Sequence, residues 1–313
     1  MTSNPVRAAV VGVGYLGAFH AEKYASLPGV ELVGVVDTDA ARAAAVAERV
    51  GAPVCARLED LFGAVDCASI AVSTPAHHAV AAALLSHGID VLVEKPITAT
   101  LEEGRDLVAL AAAQRRILQV GHLERFNPAI RSLAGILTEP RFIECHRLAP
   151  FTERGTEVDV ILDLMIHDLD VILSVVHSPL ERVEAVGVPV LSETADIANA
   201  RLRFASGAIA NVTASRVAMK RERKIRFFQA ETYVSVDYGD RSIRTYRRIP
   251  GANGGLPSID VDAQHFSEAD PLFDEIEAFV HAVRTRDTPL VDGVTAVRAM
   301  EVAERIRAAL ESA

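Results

Sequence analysis

At 313 residues the chain is long enough for two domains, each with its own core. It is 50% hydrophobic and 24% charged with a net charge of −10, a balance that speaks against general affinity for nucleic acid. No apolar run approaches the ~20 residues of a membrane span, Met-Thr-Ser-Asn-Pro at the start carries no signal-peptide core, and the three cysteines, Cys55, Cys67 and Cys145, are too scattered for a disulfide framework or metal site; a cytoplasmic protein without metal is expected.

The first predicted strand, Ala8–Val11, ends in Gly12-Val-Gly14-Tyr15-Leu16-Gly17 and leads into a helix reaching about Leu27. Three spaced glycines after a buried strand suit a tight turn (Gly12), close approach of backbone to a pyrophosphate (Gly14) and close helix–sheet packing (Gly17). Unpaired N–H groups and the positive end of the helix dipole then face the phosphates. A second apolar run, Glu31–Val36, ends in Asp37, where a carboxylate accepts the ribose hydroxyls of NAD and repels the 2′-phosphate of NADP. Arg42 nearby weakens that preference, and Asp37 or Asp39 could instead cap the following helix.

Strands at Cys67–Val72, Asp90–Val93 and Ile117–Val120 alternate with alanine-rich helices at Ala40–Val50, Ala76–His87 and Leu101–Ala113. The strands read as near-continuous apolar runs, as in a parallel sheet covered on both faces. A doubly wound Rossmann domain over residues 1–122 is expected.

Beyond Gly121 a helix is predicted from Asn127-Pro128 to about Leu137, then a strand at Arg141–Leu148 and a helical period over Asp159–Val176. Strands follow at Val183–Val190, Ile197–Phe204, Ala208–Val217, Lys224–Ala230, Tyr233–Asp237 and Ser242–Arg247. In Ile197–Phe204 a largely polar set (Ile197, Asn199, Arg201, Arg203) alternates with an apolar one (Ala198, Ala200, Leu202, Phe204), the mark of an antiparallel sheet open on one side. A flexible loop at Gly251–Pro257 and helices near Leu272–Arg284 and Thr295–Leu310 complete an α+β domain, 123–313, whose last helix is free to pack back on the first domain. Its large, mainly antiparallel open sheet needs cover, for which a homodimer or homotetramer interface is the expected answer.

Two segments carry the chemistry. Glu94-Lys95-Pro96 follows a buried strand at its carboxyl end, the edge where ligands bind in open α/β sheets. Asp163 and His167 stand four apart with Asp170 one turn on, a polar stripe on an apolar helix. Such a stripe suits a half-exposed helix face, or an imidazole made basic by a carboxylate and placed to take a hydroxyl proton while a lysine ammonium stabilises the oxyanion.

These elements together resemble the glucose–fructose oxidoreductase/inositol dehydrogenase (Gfo/Idh/MocA) family over essentially the whole chain, through Gly12-Val-Gly14-Tyr-Leu-Gly17, Asp37, Ser73-Thr74-Pro75, Glu94-Lys95-Pro96 and Asp163-Leu-Met-Ile-His167-Asp-Leu-Asp170. The resemblance implies an NAD-dependent dehydrogenase with Lys95 as catalytic lysine, His167 as acid/base and Asp163 as its substrate-contacting partner. It implies that Tyr15, Leu16, Ser73, Thr74, Pro75, His77, Glu94 and Lys95 itself line the cofactor beside the three glycines and Asp37. The loop after Pro75 is shorter than the family's usual form, so His77 and His78 are not separated. The segment Gly121-His122-Leu-Glu124-Arg125-Phe126-Asn127-Pro128 is similar to that of family members acting on sugar nucleotides, and places His122 and Arg125 with Lys95, Asp163 and His167 at the substrate. The run Met219-Lys220-Arg221-Glu-Arg223-Lys224 suits either a solvated strand end or recognition of a diphosphate. The expected activity is oxidation of a ring hydroxyl of a sugar nucleotide. An inositol or free-sugar dehydrogenase and a non-catalytic NAD-binding regulator are the alternatives, and the chain alone does not name the sugar, carbon or direction.

Overall fold

The apolar runs of the first 120 residues pair in parallel because both faces are covered by helices. In the computed structural model, which describes residues 4–152, 158–251 and 256–311, they form β1 (Val6–Val11), β2 (Val30–Val36), β3 (Cys67–Ile70), β4 (Asp90–Glu94) and β5 (Leu118–Gly121) in the order β2-β1-β3-β4-β5. Each neighbouring pair is parallel. The connecting helices are α1 (Tyr15–Ser26), α2 (Ala40–Val50), α3 (His77–Ser86) and α4 (Leu101–Gln114). The chain leaves β1 for β2 on one side and reaches β3 on the other, so the strand order reverses at β1, the position at which doubly wound sheets open a crevice. Local signals agree with the packing. Asp39 caps α2 by accepting from Ala41 N and Arg42 N at 3.0 and 3.1 Å, and Thr100 and Glu103 form a capping box on α4.

The residues up to Leu123 form one compact unit, but not alone: Pro271–Val297 belongs to it, while Glu124–Asp270 and the residues from Arg298 onward form the other. A single boundary at 122/123 therefore gives way to a division in which the chain re-enters the first unit. The re-entering helix α7 (Pro271–Thr285) places Ile276, Phe279, Val280 and Ala282 in the same buried cluster as Val6, Ala21, Tyr24 and Ile117. α8 (Gly293–Glu311) follows.

The second unit is built on eight strands: β6 (Phe142–Leu148), β7 (Leu180–Val188), β8 (Ile197–Phe204), β9 (Ile209–Ser215), β10 (Glu222–Gln229), β11 (Thr232–Asp237), β12 (Ser242–Ile249) and β13 (Ser258–His265). They run in the order β13-β12-β11-β10-β6-β9-β8-β7. Only the β6–β9 pairing is parallel. Ala198, Ala200, Leu202 and Phe204 of β8 are buried and Asn199, Arg201 and Arg203 exposed, as the alternation requires.

Three expectations change. The helix predicted from Pro128 to about Leu137 stops after one turn, α5 (Pro128–Arg131), and Gly135 further on takes φ +83°, incompatible with helix. The period over 159–176 resolves into a π-helical turn, Ile161–Met165, followed by α6 (Ile166–Val175). β13 was not anticipated; it is an edge strand exposed along its whole length, without the buried face that marks the others. Residues 252–255 of the expected Gly251–Pro257 loop lie outside the described residues. Among the described residues no helix is long and apolar enough to cross a membrane, and no His/Cys/Asp/Glu group is arranged to hold a metal ion.

Candidate active site

The glycine-rich turn shows which of its glycines the protein needs and which it leaves for a ligand. Gly12 sits at φ +82° with Ala71 backbone atoms 2.8 Å from where a Cβ would be, and a Cβ at Gly17 would fall 1.8 Å from Gly12 O. A Cβ at Gly14 would meet nothing within 4 Å. Gly14 is also the N-cap of α1, and its helix has no side-chain cap and no acid in the first turn. Uncapped N–H groups beside open space are what a pyrophosphate requires. Tyr15 is exposed and Leu16 half-buried at this first turn, with Tyr15 edge-to-face on Phe19. The turn opens on a cavity of about 540 Å³ lined among others by Gly12, Gly14, Asp37, Arg42 and Ser73. These residues fit a dinucleotide.

Asp37 ends β2 as expected, but its carboxylate is already full. Oδ2 accepts from Val13 N (2.8 Å) and Arg42 Nε (3.0 Å), and Oδ1 from Asp39 N (2.8 Å) and Arg42 Nη2 (2.7 Å). Burial tends to raise its pKa, but the Arg42 hydrogen bonds and the two N–H groups win and hold it below the usual carboxylate value. Asp39, not Asp37, is the helix cap.

At the neighbouring strand ends, Ser73 and Pro75 are exposed and Thr74 half-buried in a short 3-10 turn, Thr74–Ala76, leading to α3. His77 is buried, with Nδ1 2.8 Å from Pro96 O and Nε2 3.1 Å from Val72 O. Burial pushes its pKa down against the pull of those carbonyls. An imidazole whose pKa is pushed down carries one N–H, so His77 donates to one of these two carbonyls and packs against the other, between the Glu94-Lys95-Pro96 turn and the Ser73 loop. His78 points elsewhere, to Asp106 at 2.7 Å.

Lys95 follows β4 half-buried, and its peptide bond to the buried Pro96 is cis. Glu94 is itself buried: Oε1 lies 3.0 Å from His20 Nε2, and Oε2 accepts from Lys95 N at 3.2 Å. His20 Nδ1 continues to Ser69 Oγ at 3.1 Å, which Tyr24 OH meets at 2.9 Å. Burial alone would raise the Glu94 carboxyl, yet the His20 hydrogen bond and charge and the Lys95 ammonium keep it low. A Cβ on Gly121 would strike the same carboxylate at 2.9 Å, so Gly121 is needed for it to fit. Glu275 of α7 is fully buried with no hydrogen-bond partner on either oxygen among the described residues, and burial and the Glu94 charge push its pKa well up. Sequence reasoning missed both His20, three residues past Gly17, and Glu275. His122, also of this unit, is buried and donates its backbone N–H to Val120 O at 2.8 Å.

In the second unit Asp163 falls in the π-helical turn and His167 in the first turn of α6, both half-buried. Asp159 starts the turn by accepting from Ile161 N and Leu162 N at 3.0 and 3.1 Å. The simple four-residue spacing of one α-helix face therefore does not apply, and a π turn at such a position is a frequent companion of function. Asp170 is not on the accessible stripe: it is buried and meets Arg125 Nη1 at 3.4 Å. A residue not singled out, Asp168, takes two bonds from buried Arg147 (2.7 and 3.0 Å), which also donates to Glu124 at 3.1 Å and lies over the Tyr238 ring at 5.0 Å. Attraction to Asp168 and Glu124 overcomes the cost of burying Arg147 and raises its pKa.

With this geometry in hand, comparison with known proteins is consistent along the chain. Residues 6–122 match the model of an oxidoreductase family with an NAD-binding Rossmann fold, and residues 131–235 that of a GFO/IDH/MocA C-terminal domain. A UDP-N-acetylglucosamine 3-dehydrogenase of Acidithiobacillus ferrooxidans is 38% identical over 98% of both chains. A solved structure of that enzyme superposes with a TM-score of 0.92 over 98% of this chain and 97% of the other. The scyllo-inositol 2-dehydrogenase (NAD(+)) of Bacillus subtilis is 30% identical over 95% of this chain and 92% of its own.

Proposed function

Because the chain belongs to the Gfo/Idh/MocA family of NAD-binding oxidoreductases, we propose that it oxidises the 3-hydroxyl of UDP-N-acetylglucosamine to the 3-keto sugar nucleotide. The observation that carries this reading is the likeness, end to end, to a relative of that name. NAD supplies a hydride acceptor. The backbone N–H groups at Tyr15 and Leu16 hold its pyrophosphate in the space left by Gly14, Asp37 receives the ribose as Arg42 yields, and Ser73, Thr74, Pro75 and Glu94 line its other end.

The protein's own part in the reaction is to place the hydroxyl and move its proton. Lys95 donates from its ammonium to the oxygen on which negative charge grows. His167 takes the hydroxyl proton, and Asp163 contacts the substrate and stabilises the imidazolium that results. Buried Glu94, fixed by His20, anchors the turn from which Lys95 projects. His122 and Arg125 complete the set that touches the sugar nucleotide.

The protein works in the cytoplasm as a homodimer or homotetramer joined through the open sheet. For the interface, the support is a row of Phe142, Phe228, Tyr233 and Tyr246 across four strands, with ring centroids 5.5, 4.7 and 5.0 Å apart, the first pair tilted and the other two stacked.

The test is NAD+ reduction with UDP-N-acetylglucosamine, free N-acetylglucosamine and inositols. Turnover of the nucleotide sugar should far exceed the rest, and Lys95→Ala and His167→Ala should each cost roughly 10²–10⁴-fold, with NAD+ affinity nearly unchanged for His167→Ala. Faster turnover of an inositol or free sugar would replace this reading by that of a polyol dehydrogenase.

A further inference from the structure

The cationic run Lys220–Lys224 is divided by the strand that contains most of it. On β10 the residues in phase with Ile225 and Phe227 face the buried side of the sheet, and Arg223 is one of them. The other phase is already matched on the open side: Lys224 Nζ stands 3.5 Å from Asp237, Arg226 Nη1 2.7 Å from Glu144, and Glu222 3.9 Å from His146. Lys220 and Arg221 are exposed in the turn before the strand.

The antiparallel register sets Arg223 directly opposite Arg147 of β6. Arg147 is committed to Asp168 and Glu124. Arg223 has no ion pair and no side-chain hydrogen bond among the described residues. Burial, then the positive charge of Arg147, depress its pKa, and Glu124 and Asp168 offset this only in part. A half-buried guanidinium beside a second one, with no counter-ion, is a cost that folding does not require. An anion removes that cost, and the planar fork of a guanidinium matches two phosphate oxygens at once. The location is relevant: Arg223 stands opposite Arg147 in the strand register, and Arg147 bonds to Asp168, the chain neighbour of His167, all within a single unit.

We propose that Arg223 binds the diphosphate of the substrate and so sets the preference for a nucleotide-linked sugar over a free one. This rests on the sugar-nucleotide reading above and names the residue that enforces it. Arg125, the other candidate, already has a buried carboxylate, Asp170, within 3.4 Å.

The experiment uses the full-length protein with saturating NAD+ and compares wild type, Arg223→Gln, Arg223→Lys and, on the opposite face, Lys224→Gln. Loss of a charge-assisted contact should raise both the KM for UDP-N-acetylglucosamine and the inhibition constant of UDP by roughly ten- to a hundredfold in Arg223→Gln. Arg223→Lys should recover part of that loss, and Lys224→Gln should match wild type. The melting temperature of Arg223→Gln should not fall, because no internal partner is lost. If UDP inhibits Arg223→Gln as strongly as wild type, the assignment of Arg223 is overturned while the sugar-nucleotide reading stands. A lower melting temperature with unchanged KM would mark Arg223 as structural and also overturn it. Wild type that neither oxidises UDP-N-acetylglucosamine nor is inhibited by UDP would overturn the substrate reading and this inference together.

Discussion

A carboxylate with four donors cannot also accept a ribose diol, so the role proposed for Asp37 requires Arg42 to let go of it when NAD binds. Because Arg42 is substantially exposed, that pair is worth no more than a surface ion pair. Arg42→Ala should therefore lower the KM for NAD+ by roughly two- to fivefold, the scale of such a pair, while NADP+, deprived of a cation near its 2′-phosphate, should become a poorer substrate. Unchanged KM values for both cofactors would show that Arg42 is not in the way. Glu275 gives a second residue-scale expectation. Its folded pKa is raised, so from the unfolded value of about 4.3 upward the folded chain keeps a proton that the unfolded chain releases. Stability then declines with rising pH, by up to ~1.4 kcal/mol per pH unit for one such group, until the folded pKa is reached. Glu275→Gln keeps the shape without the proton. Its melting temperature relative to wild type should climb as the pH rises above about 5, and a flat difference would show that the folded chain holds no extra proton on Glu275.

At the scale of elements, the turn between β1 and α1 separates structural from functional glycines. Gly17→Ala puts a methyl group into Gly12 O and should cost about 3 kcal/mol or more, as severe overpacking does. Gly14→Ala meets only open space, so its melting temperature should stay within a few degrees of wild type while NAD+ affinity drops; titration of the cofactor against both variants distinguishes the two effects. Strands β1–β12 and helices α1–α4 are legible in the sequence because apolar runs or alternations mark the face that each one buries, whereas β13, exposed along its whole length, carries no such mark. What was hidden depended on distant partners. Asp168 looked like one more acid in a helix until Arg147, 21 residues earlier, was seen to claim it. His20 and Glu275 are 255 positions apart, and only the fold shows that both serve the Glu94 neighbourhood. The π turn at Ile161–Met165 leaves no trace in a hydrophobic period that an α-helix satisfies equally well.

At the scale of the molecule, an open eight-stranded sheet with a row of aromatics on its outer face invites a partner surface. Phe228→Asp in the middle of that row should shift the mass measured by light scattering toward the monomer without altering the chemistry-bearing residues. A variant with the wild-type mass would direct the search for the interface to another face. The fold class could be read from the chain because it rests on period and order; the exchange of segments between units could not, since α7 looks like any amphipathic helix and only its burial in the first core reveals its allegiance.

That allegiance has a temporal side. A ribosome releases every glycine and acid of the nucleotide crevice before residue 122, yet Ile276, Phe279 and Val280, which seal the core beneath them, emerge some 150 residues later. Until then the half-built sheet carries an unsealed apolar seam, and the second unit must be synthesised in the interval. The nascent chain is thus expected to acquire NAD affinity late and abruptly. A nested set of stalled or truncated chains would show it: those ending before residue 270 should bind NAD+ feebly although they contain the entire fingerprint, and those extended past residue 297 should bind it like the whole protein.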